Sequence, residues 1–234
     1  MTDARLDEIA GNLTRVRSRI ADACAAAGRD PLDFTLVVVS KTYPAADVVR
    51  LTHLGVRDIG ENRDQEAAPK AAEVAAAGVD VRWHFVGQLQ RNKARSVARY
   101  ADVVHSVDST RLAVALDAAA RDRHRPLDVL VQVSLDDDPA RGGASRETVA
   151  AVAEAVSATG ALRLAGVMAI PPLDVEPGTA YERLARIAAD LRRGYPHATA
   201  ISAGMSADLE PAIAYGATHV RIGSAVLGNR APLG

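Results

Sequence analysis

One cysteine, one tryptophan and two phenylalanines among 234 residues withhold the materials of several architectures. Cys24 has no second thiol for an internal disulfide, and the six scattered histidines form no HxxxH or CxxC-type ligand spacing with it, so neither a disulfide framework nor a structural zinc site is expected. No apolar run reaches the roughly 18 residues that a membrane-spanning helix needs. The amino terminus, Met1-Thr2-Asp3-Ala4-Arg5, leads into a charged segment instead of an apolar signal core, which points to a cytoplasmic protein. Charge of one sign is also missing: 28 Lys and Arg stand against 29 Asp and Glu, a formal net charge of -1. Such a chain has no field to hold a polyanion or an anionic bilayer, so neither nucleic acid nor membrane is an expected partner. At 48% hydrophobic and 24% charged, the composition excludes disorder and supports a sizeable core.

Hydrophobic periodicity gives the organisation. Leu6, Ile9, Leu13, Val16, Ile20, Cys24 and Ala27 recur three or four apart, the pattern of an amphipathic helix, with Asp3 placed to cap its start and Gly28 and Pro31 to end it. Short apolar runs without alternation follow at 34–40, 58–60, 83–87, 103–107, 129–134, 165–170, 201–206 and 220–223. Unbroken runs suit strands covered on both faces, as in parallel sheets under crossover helices. Helical stretches lie between them, at 45–54, 66–77, 111–120, 149–158, 181–193 and 208–215. Eight strands alternating with helices, in a chain close to the roughly 250 residues usual for the fold, predict a single (β/α)8 TIM barrel with an extra amino-terminal helix, one domain spanning residues 1–234. An open doubly wound sheet is the competing arrangement. It is disfavoured because no Gly-x-Gly-x-x-Gly follows the first strand and no shift in composition marks a second domain.

In such a barrel the chemistry belongs where strands end. The first run closes with Val39-Ser40-Lys41-Thr42-Tyr43-Pro44, so Lys41 leaves a buried strand just before a helix. Burial there would free the amine as a nucleophile toward a carbonyl compound, whereas a lysine already clear of the core would only pair at the rim. The second and third runs bring Glu61-Asn62-Arg63 and His84-Phe85-Val86-Gly87-Gln88 toward the mouth. His84, inside an apolar strand, reads on general grounds first as a core histidine with its hydrogen bonds satisfied. The last two runs close with Gly204-Met205-Ser206-Ala207-Asp208 and Arg221-Ile222-Gly223-Ser224. Small hydroxyl residues and glycines after strands 7 and 8 are the usual setting of a phosphate site in this architecture. The acidic run Asp136-Asp137-Asp138 is expected to be a solvated loop instead of a hard-cation site. The basic stretch Arg91, Lys93, Arg95 and Arg99 lacks the aromatic interleaving of a nucleic-acid surface.

Val39-Ser40-Lys41-Thr42, Gly60-Glu61-Asn62-Arg63, Trp83-His84-Phe85-Val86-Gly87-Gln88-Leu89-Gln90-Arg91-Asn92-Lys93, His105-Ser106-Val107-Asp108, Gly204-Met205-Ser206-Ala207-Asp208-Leu209 and Val220-Arg221-Ile222-Gly223-Ser224 resemble, in order and over nearly the whole chain, the pyridoxal phosphate homeostasis protein family. The resemblance implies a barrel similar to the amino-terminal domain of alanine racemase, with pyridoxal 5'-phosphate held as an imine on Lys41. It implies that Ser206, Gly223 and Ser224 hold the phosphate and that Arg221 approaches the pyridine nitrogen, with Asn62, His84 and Met205 completing the cofactor-binding set. Arg141-Gly142-Gly143 departs from the family's commoner pattern of a lysine and one glycine. The function implied is a carrier that keeps vitamin B6 and amino-acid pools in balance without notable turnover; apo forms of pyridoxal-dependent enzymes are candidate recipients, and a monomer is expected. An arginine at the ring nitrogen makes a weak electron sink, and the chain leaves no room for the added domain that supplies alanine racemase with its second base. Two alternatives stand beside it: a pyridoxal-dependent amino-acid racemase or lyase using Tyr43 or His84 as second base, and a phosphosugar enzyme without pyridoxal.

Overall fold

Eight short parallel strands close on themselves in chain order, so that β1 (Thr35–Val39) pairs with both β2 (Asp58–Glu61) and β8 (His219–Ile222). The computed structural model describes residues 3–136 and 141–228; of the acidic run, Asp137 and Asp138 lie outside the described residues. Between the first and last strands come β3 (Arg82–Phe85), β4 (Val103–Val107), β5 (Leu127–Gln132), β6 (Leu162–Met168) and β7 (Ala200–Ser202). Each is followed by a helix on the outside: α2 (Ala45–His53), α3 (Asp64–Ala76), α4 (Ala94–Tyr100), α5 (Thr110–Ala120), α6 (Val149–Ser157), α7 (Pro177–Gly194), α8 (Leu209–Ala214) and the single turn α9 (Ser224–Leu227), all preceded by α1 (Ala4–Ala26). This is the (β/α)8 barrel with an extra amino-terminal helix that the strand–helix alternation predicts.

The added helix starts and stops for local reasons. The Asp3 carboxylate accepts from the N–H groups of Arg5 and Leu6 at 3.1 and 3.2 Å, and Gly28 ends the helix at φ +64°. Its buried stripe, Ile9, Leu13, Val16, Ile20 and Cys24, packs into one cluster with Val38 and Val220 of the barrel wall, Leu51 of α2, Ile213 of α8 and Val226 of α9. Truncating Leu13, which is 2% exposed, to alanine should destabilise the fold by about 2–5 kcal/mol in denaturant unfolding, since it removes buried apolar contact and leaves a cavity in the cluster.

Polar contacts tie the same helix to the barrel mouth. Asn12 donates to the carbonyl of Val226 at 2.9 Å, Arg5 to that of Leu227 at 2.9 Å, and Arg19 to that of Ser206 at 3.1 Å. The helix therefore braces both loops that carry the serines singled out in the sequence.

Among the differences from the sequence reading, three have a clear local cause. The basic stretch after β3 contains a 3-10 turn, Arg91–Lys93, and then α4, whose buried residues Ala94, Val97 and Ala98 are too small to stand out as an apolar stripe. Helix α7 begins at Pro177 because the Glu176 carboxylate caps the Thr179 N–H at 2.9 Å. Strand β6 begins at Leu162, and its outward Arg163, paired with Asp128 at 2.5 Å, hides that start behind a charge.

The barrel interior is also unusual in composition. Layers of branched aliphatic residues fill most such barrels. Here His84, His105, Ser202 and Arg221 point inward and are buried, with the largely buried His219 beside them.

Candidate functional site

At the carboxyl ends of the strands lies a cavity of about 720 Å³, within the size range of small-molecule sites. Its walls include Val39 and Lys41 after β1, Asn62 after β2, Gln88 after β3, Gln132 on β5, Met205 and Ser206 after β7, and Arg221, Gly223 and Ser224 at the end of β8. Seven of the eight residues expected to bind cofactor thus converge on one space: Lys41, Asn62, Met205, Ser206, Arg221, Gly223 and Ser224. His84 does not line it. It sits deeper in the barrel, 1% exposed, with both ring nitrogens engaged.

The lysine turn is built with care that the sequence hides. Lys41 itself is exposed to the cavity and solvent, so of the two readings of its position the structure matches the lysine already clear of the core. Next to it, Thr42 has φ +68°, the one positive value among the described non-glycine residues. A β-branched side chain there carries strain of about 1–3 kcal/mol, which the surroundings must hold. They do so with a hydrogen bond from the Thr42 N–H to Glu66 at 3.0 Å and with a buried ion pair beneath. Lys70 is 7% exposed and donates to the Ser40 carbonyl at 2.7 Å and to the fully buried Glu61, which also accepts from the Ser40 hydroxyl at 2.6 Å. Sequence reasoning missed Lys70 as a functional support. Its signal was present: it falls within the buried stripe Ala67, Lys70, Ala71, Val74 of α3, where a lysine has no place unless paired.

The loops after β7 and β8 are held equally firmly. Asp208 accepts from the Met205 N–H at 2.6 Å and from the Tyr181 hydroxyl at 2.7 Å, and burial keeps that phenol protonated well beyond its usual range. Gly204 permits the turn, with φ +92° and a hypothetical Cβ only 2.7 Å from Ala212. At Gly87 a Cβ would fall 2.0 Å from the carbonyl of Asn62, so the glycine is what lets the β2 and β3 ends meet. Arg141, from the stretch that departs from the family pattern, reaches the cavity wall and donates to the Pro171 carbonyl at 2.7 Å.

Arg221 is the cation of the cavity floor. It is 6% exposed and donates to Ser202 Oγ at 2.7 Å and to the Ala169 carbonyl at 3.0 Å, both neutral acceptors. No carboxylate among the described residues forms an ion pair with it. Burial lowers its pKa to about 10, which still leaves it charged at neutral pH. A buried guanidinium with five donors, two of them committed to neutral groups, leaves capacity for an acceptor on a ligand.

Comparison with known proteins agrees with this geometry. The family described as alanine racemase, N-terminal domain, matches residues 5–231. Alanine racemase from Corynebacterium glutamicum shares the fold at a TM-score of 0.69 and 18% identity, with 98% of this chain aligned to 64% of that one. The class is therefore a barrel of the alanine racemase type. Among curated proteins, the pyridoxal phosphate homeostasis protein of Mycobacterium tuberculosis is 46% identical over 97% of this chain and 94% of its own length, and that of Escherichia coli 39% identical over 96% and 98%. PipY of Synechococcus elongatus, solved with PLP bound, superposes at a TM-score of 0.82 with 34% identity over 94% of this chain and 100% of PipY. The chain belongs to the pyridoxal phosphate homeostasis protein family.

Proposed function

We propose that this protein binds pyridoxal 5'-phosphate in the cavity at the barrel mouth, attaches it covalently through Lys41, and keeps it available to the cell's vitamin B6 and amino-acid economy without notable turnover. The observation that carries this reading is the convergence of Lys41, Asn62, Met205, Ser206, Arg221, Gly223 and Ser224 on one cavity of suitable size. The PLP-bound relative PipY and the names of the curated relatives support it.

The residues present fit the group. At one end of the cavity the space above Gly223 is open to a ligand but narrow toward the protein, a Cβ there lying 3.3 Å from the Val39 carbonyl. Ser206, Gly223 and Ser224 offer hydroxyls and the unpaired N–H groups of a helix start for a phosphate. Arg221 stands on the floor to donate toward the pyridine nitrogen. Lys41, exposed and held by a strained turn, presents its amine to an aldehyde. When bound, the cofactor supplies an electrophilic carbonyl for amine capture and an electron-withdrawing ring. The protein's own part is to bind, orient and retain it, and to release it to apo enzymes.

The test is to add pyridoxal phosphate to the pure protein, trap with borohydride and map the modified peptide. A visible band that borohydride bleaches, with the label on Lys41 and absent from Lys41→Ala, is the expected result. Label on another lysine would overturn the attachment site. A protein that stays colourless would overturn the pyridoxal reading and favour a phosphosugar ligand.

A further inference from the structure

Below the cavity, a line of hydrogen bonds crosses the barrel from mouth to base. Arg221 donates to Ser202 Oγ at 2.7 Å; Ser202 Oγ lies 2.9 Å from His105 Nδ1; His105 Nε2 lies 2.8 Å from His84 Nδ1; and His84 Nε2 lies 2.8 Å from Asp58 Oδ1. Four strands contribute besides β8. Ser202, His105 and His84 are all at most 1% exposed, while the Asp58 side chain at the base is 25% exposed.

We infer that Ser202, His105, His84 and Asp58 are positioning residues that fix Arg221 as a hydrogen-bond donor toward the bound cofactor through a chain of one polarity. This inference rests on the functional reading above. The polarity follows from the two ends. An ionised Asp58 only accepts, so His84 carries its proton on Nε2 and accepts at Nδ1; His105 then carries its proton on Nε2 and accepts at Nδ1; Ser202 therefore gives its hydroxyl proton to His105 and keeps its lone pairs for Arg221, which can only donate. Every atom in the line has one consistent role when both imidazoles are neutral. Their surroundings favour that form: burial holds both histidines below the ordinary range, and His105 further faces His84, Arg221, His219 and Arg82. His84 faces Asp58, Arg82, Asp102 and, at 6.3 Å between ring centres, His219. Burial opposes charge on Asp58, but its bond to His84 and the nearby Arg82 outweigh that and favour the ionised form.

A proton entering His105 at Nδ1, or a tautomer reversed from the base upward, would remove the acceptor for the Ser202 proton. Ser202 would then be free to turn its hydroxyl toward Arg221, donor against donor. The far end of the barrel thus determines how firmly the guanidinium is anchored at the mouth. The sequence pattern gives no sign of this, since the four residues are 58, 84, 105 and 202 and meet only through closure of the barrel.

The experiment has two arms. In the ligand-free protein, imidazole nitrogen-15 spectra at neutral pH should show His84 and His105 as neutral Nε2–H tautomers with hydrogen-bonded Nδ1. Finding either as an Nδ1–H tautomer or an imidazolium would overturn the chain. In the second arm, pyridoxal phosphate is titrated into the wild type, Ser202→Ala, Asp58→Ala and Asp58→Asn. Ser202→Ala should bind about tenfold more weakly, the scale of one hydrogen bond to a charged group, and should change the pH midpoint of the bound visible band. Asp58→Ala should move both readouts in the same direction and release His105 from its single tautomer, while Asp58→Asn, which keeps an acceptor oxygen, should restore them. A wild type that binds the cofactor and an Asp58→Ala variant indistinguishable from it in affinity, band and tautomer would overturn the positioning role alone. A wild type that binds no pyridoxal phosphate would overturn the functional reading and the role together.

Discussion

Valine in place of Gly223 is expected to weaken binding of pyridoxal phosphate by about 10²-fold, two charge-assisted hydrogen bonds' worth, while binding of unphosphorylated pyridoxal stays nearly unchanged. Gly223 has φ -112° and ψ -86°, outside the extended and helical regions that a β-branched residue prefers, and the nearest atom to a new Cβ is the Val39 carbonyl oxygen at 3.3 Å, so Gly223→Ala is titrated beside Gly223→Val and the folding of both is checked by circular dichroism. What the branched side chain takes away is the space and close backbone approach beside Ser224, where the phosphate would sit. Comparison of the two ligands by fluorescence or visible titration separates the possibilities. An equal loss for pyridoxal and its phosphate would mean that the loop shapes the cavity and does not read the anion. Gly204 is the instructive contrast, because its φ of +92° and the 2.7 Å approach of Ala212 make any side chain there a folding defect.

The parts of this structure legible in the sequence are those governed by local patterning. The apolar period of α1, its Asp3 cap and the order of strands and helices all follow from residues near one another in the chain, and the barrel follows from their repetition. The cavity walls were legible for a related reason. In a barrel, residues just after strands share one rim whatever their separation in sequence, so Lys41, Ser206 and Ser224 could be placed together without knowing any contact. His84 shows where that reasoning ends. Its strand position is the same in kind as Arg221's, but depth within the barrel depends on shear and register, with Gly60 opposite His84 and Val37 opposite Arg221, and no sequence period reports those. The supports of the lysine turn were hidden for a different reason: Lys70 and Glu61 are nine residues apart, and only the return of α3 against β1 and β2 makes them a buried pair under Ser40.

The protein loaded with its cofactor should exchange the alpha proton of L- or D-alanine at a rate far below that of a dedicated enzyme, which turns over at about 1 to 10³ per second. Racemisation needs one group to take a proton from one face of the substrate and another to return it on the opposite face, and a positioned acid or base contributes about 10² to 10⁴ in rate. Lys41 can supply one such group. The two candidates for the other are already engaged: His84 lies outside the cavity wall with its ring nitrogens bonded to His105 and Asp58, and the Tyr43 hydroxyl, although Tyr43 lines the cavity, donates to the Gly228 carbonyl. On the proposed reading, Arg221 at the cavity floor would face the ring nitrogen in place of the carboxylate that a strong electron sink requires. On that reading, each of these features would lower turnover and none would weaken binding. The measurement is alpha-proton exchange in heavy water, followed by NMR, with parallel transfer of the cofactor to an apo-transaminase. Exchange within the enzymatic range that disappears in Lys41→Ala and falls by 10² or more in Tyr43→Phe would make this protein a racemase using Tyr43 as second base, and the carrier reading would be wrong; slow exchange indifferent to Tyr43→Phe, accompanied by transfer to the apo-enzyme, is the result that the engaged hydroxyl and the arginine floor lead us to expect.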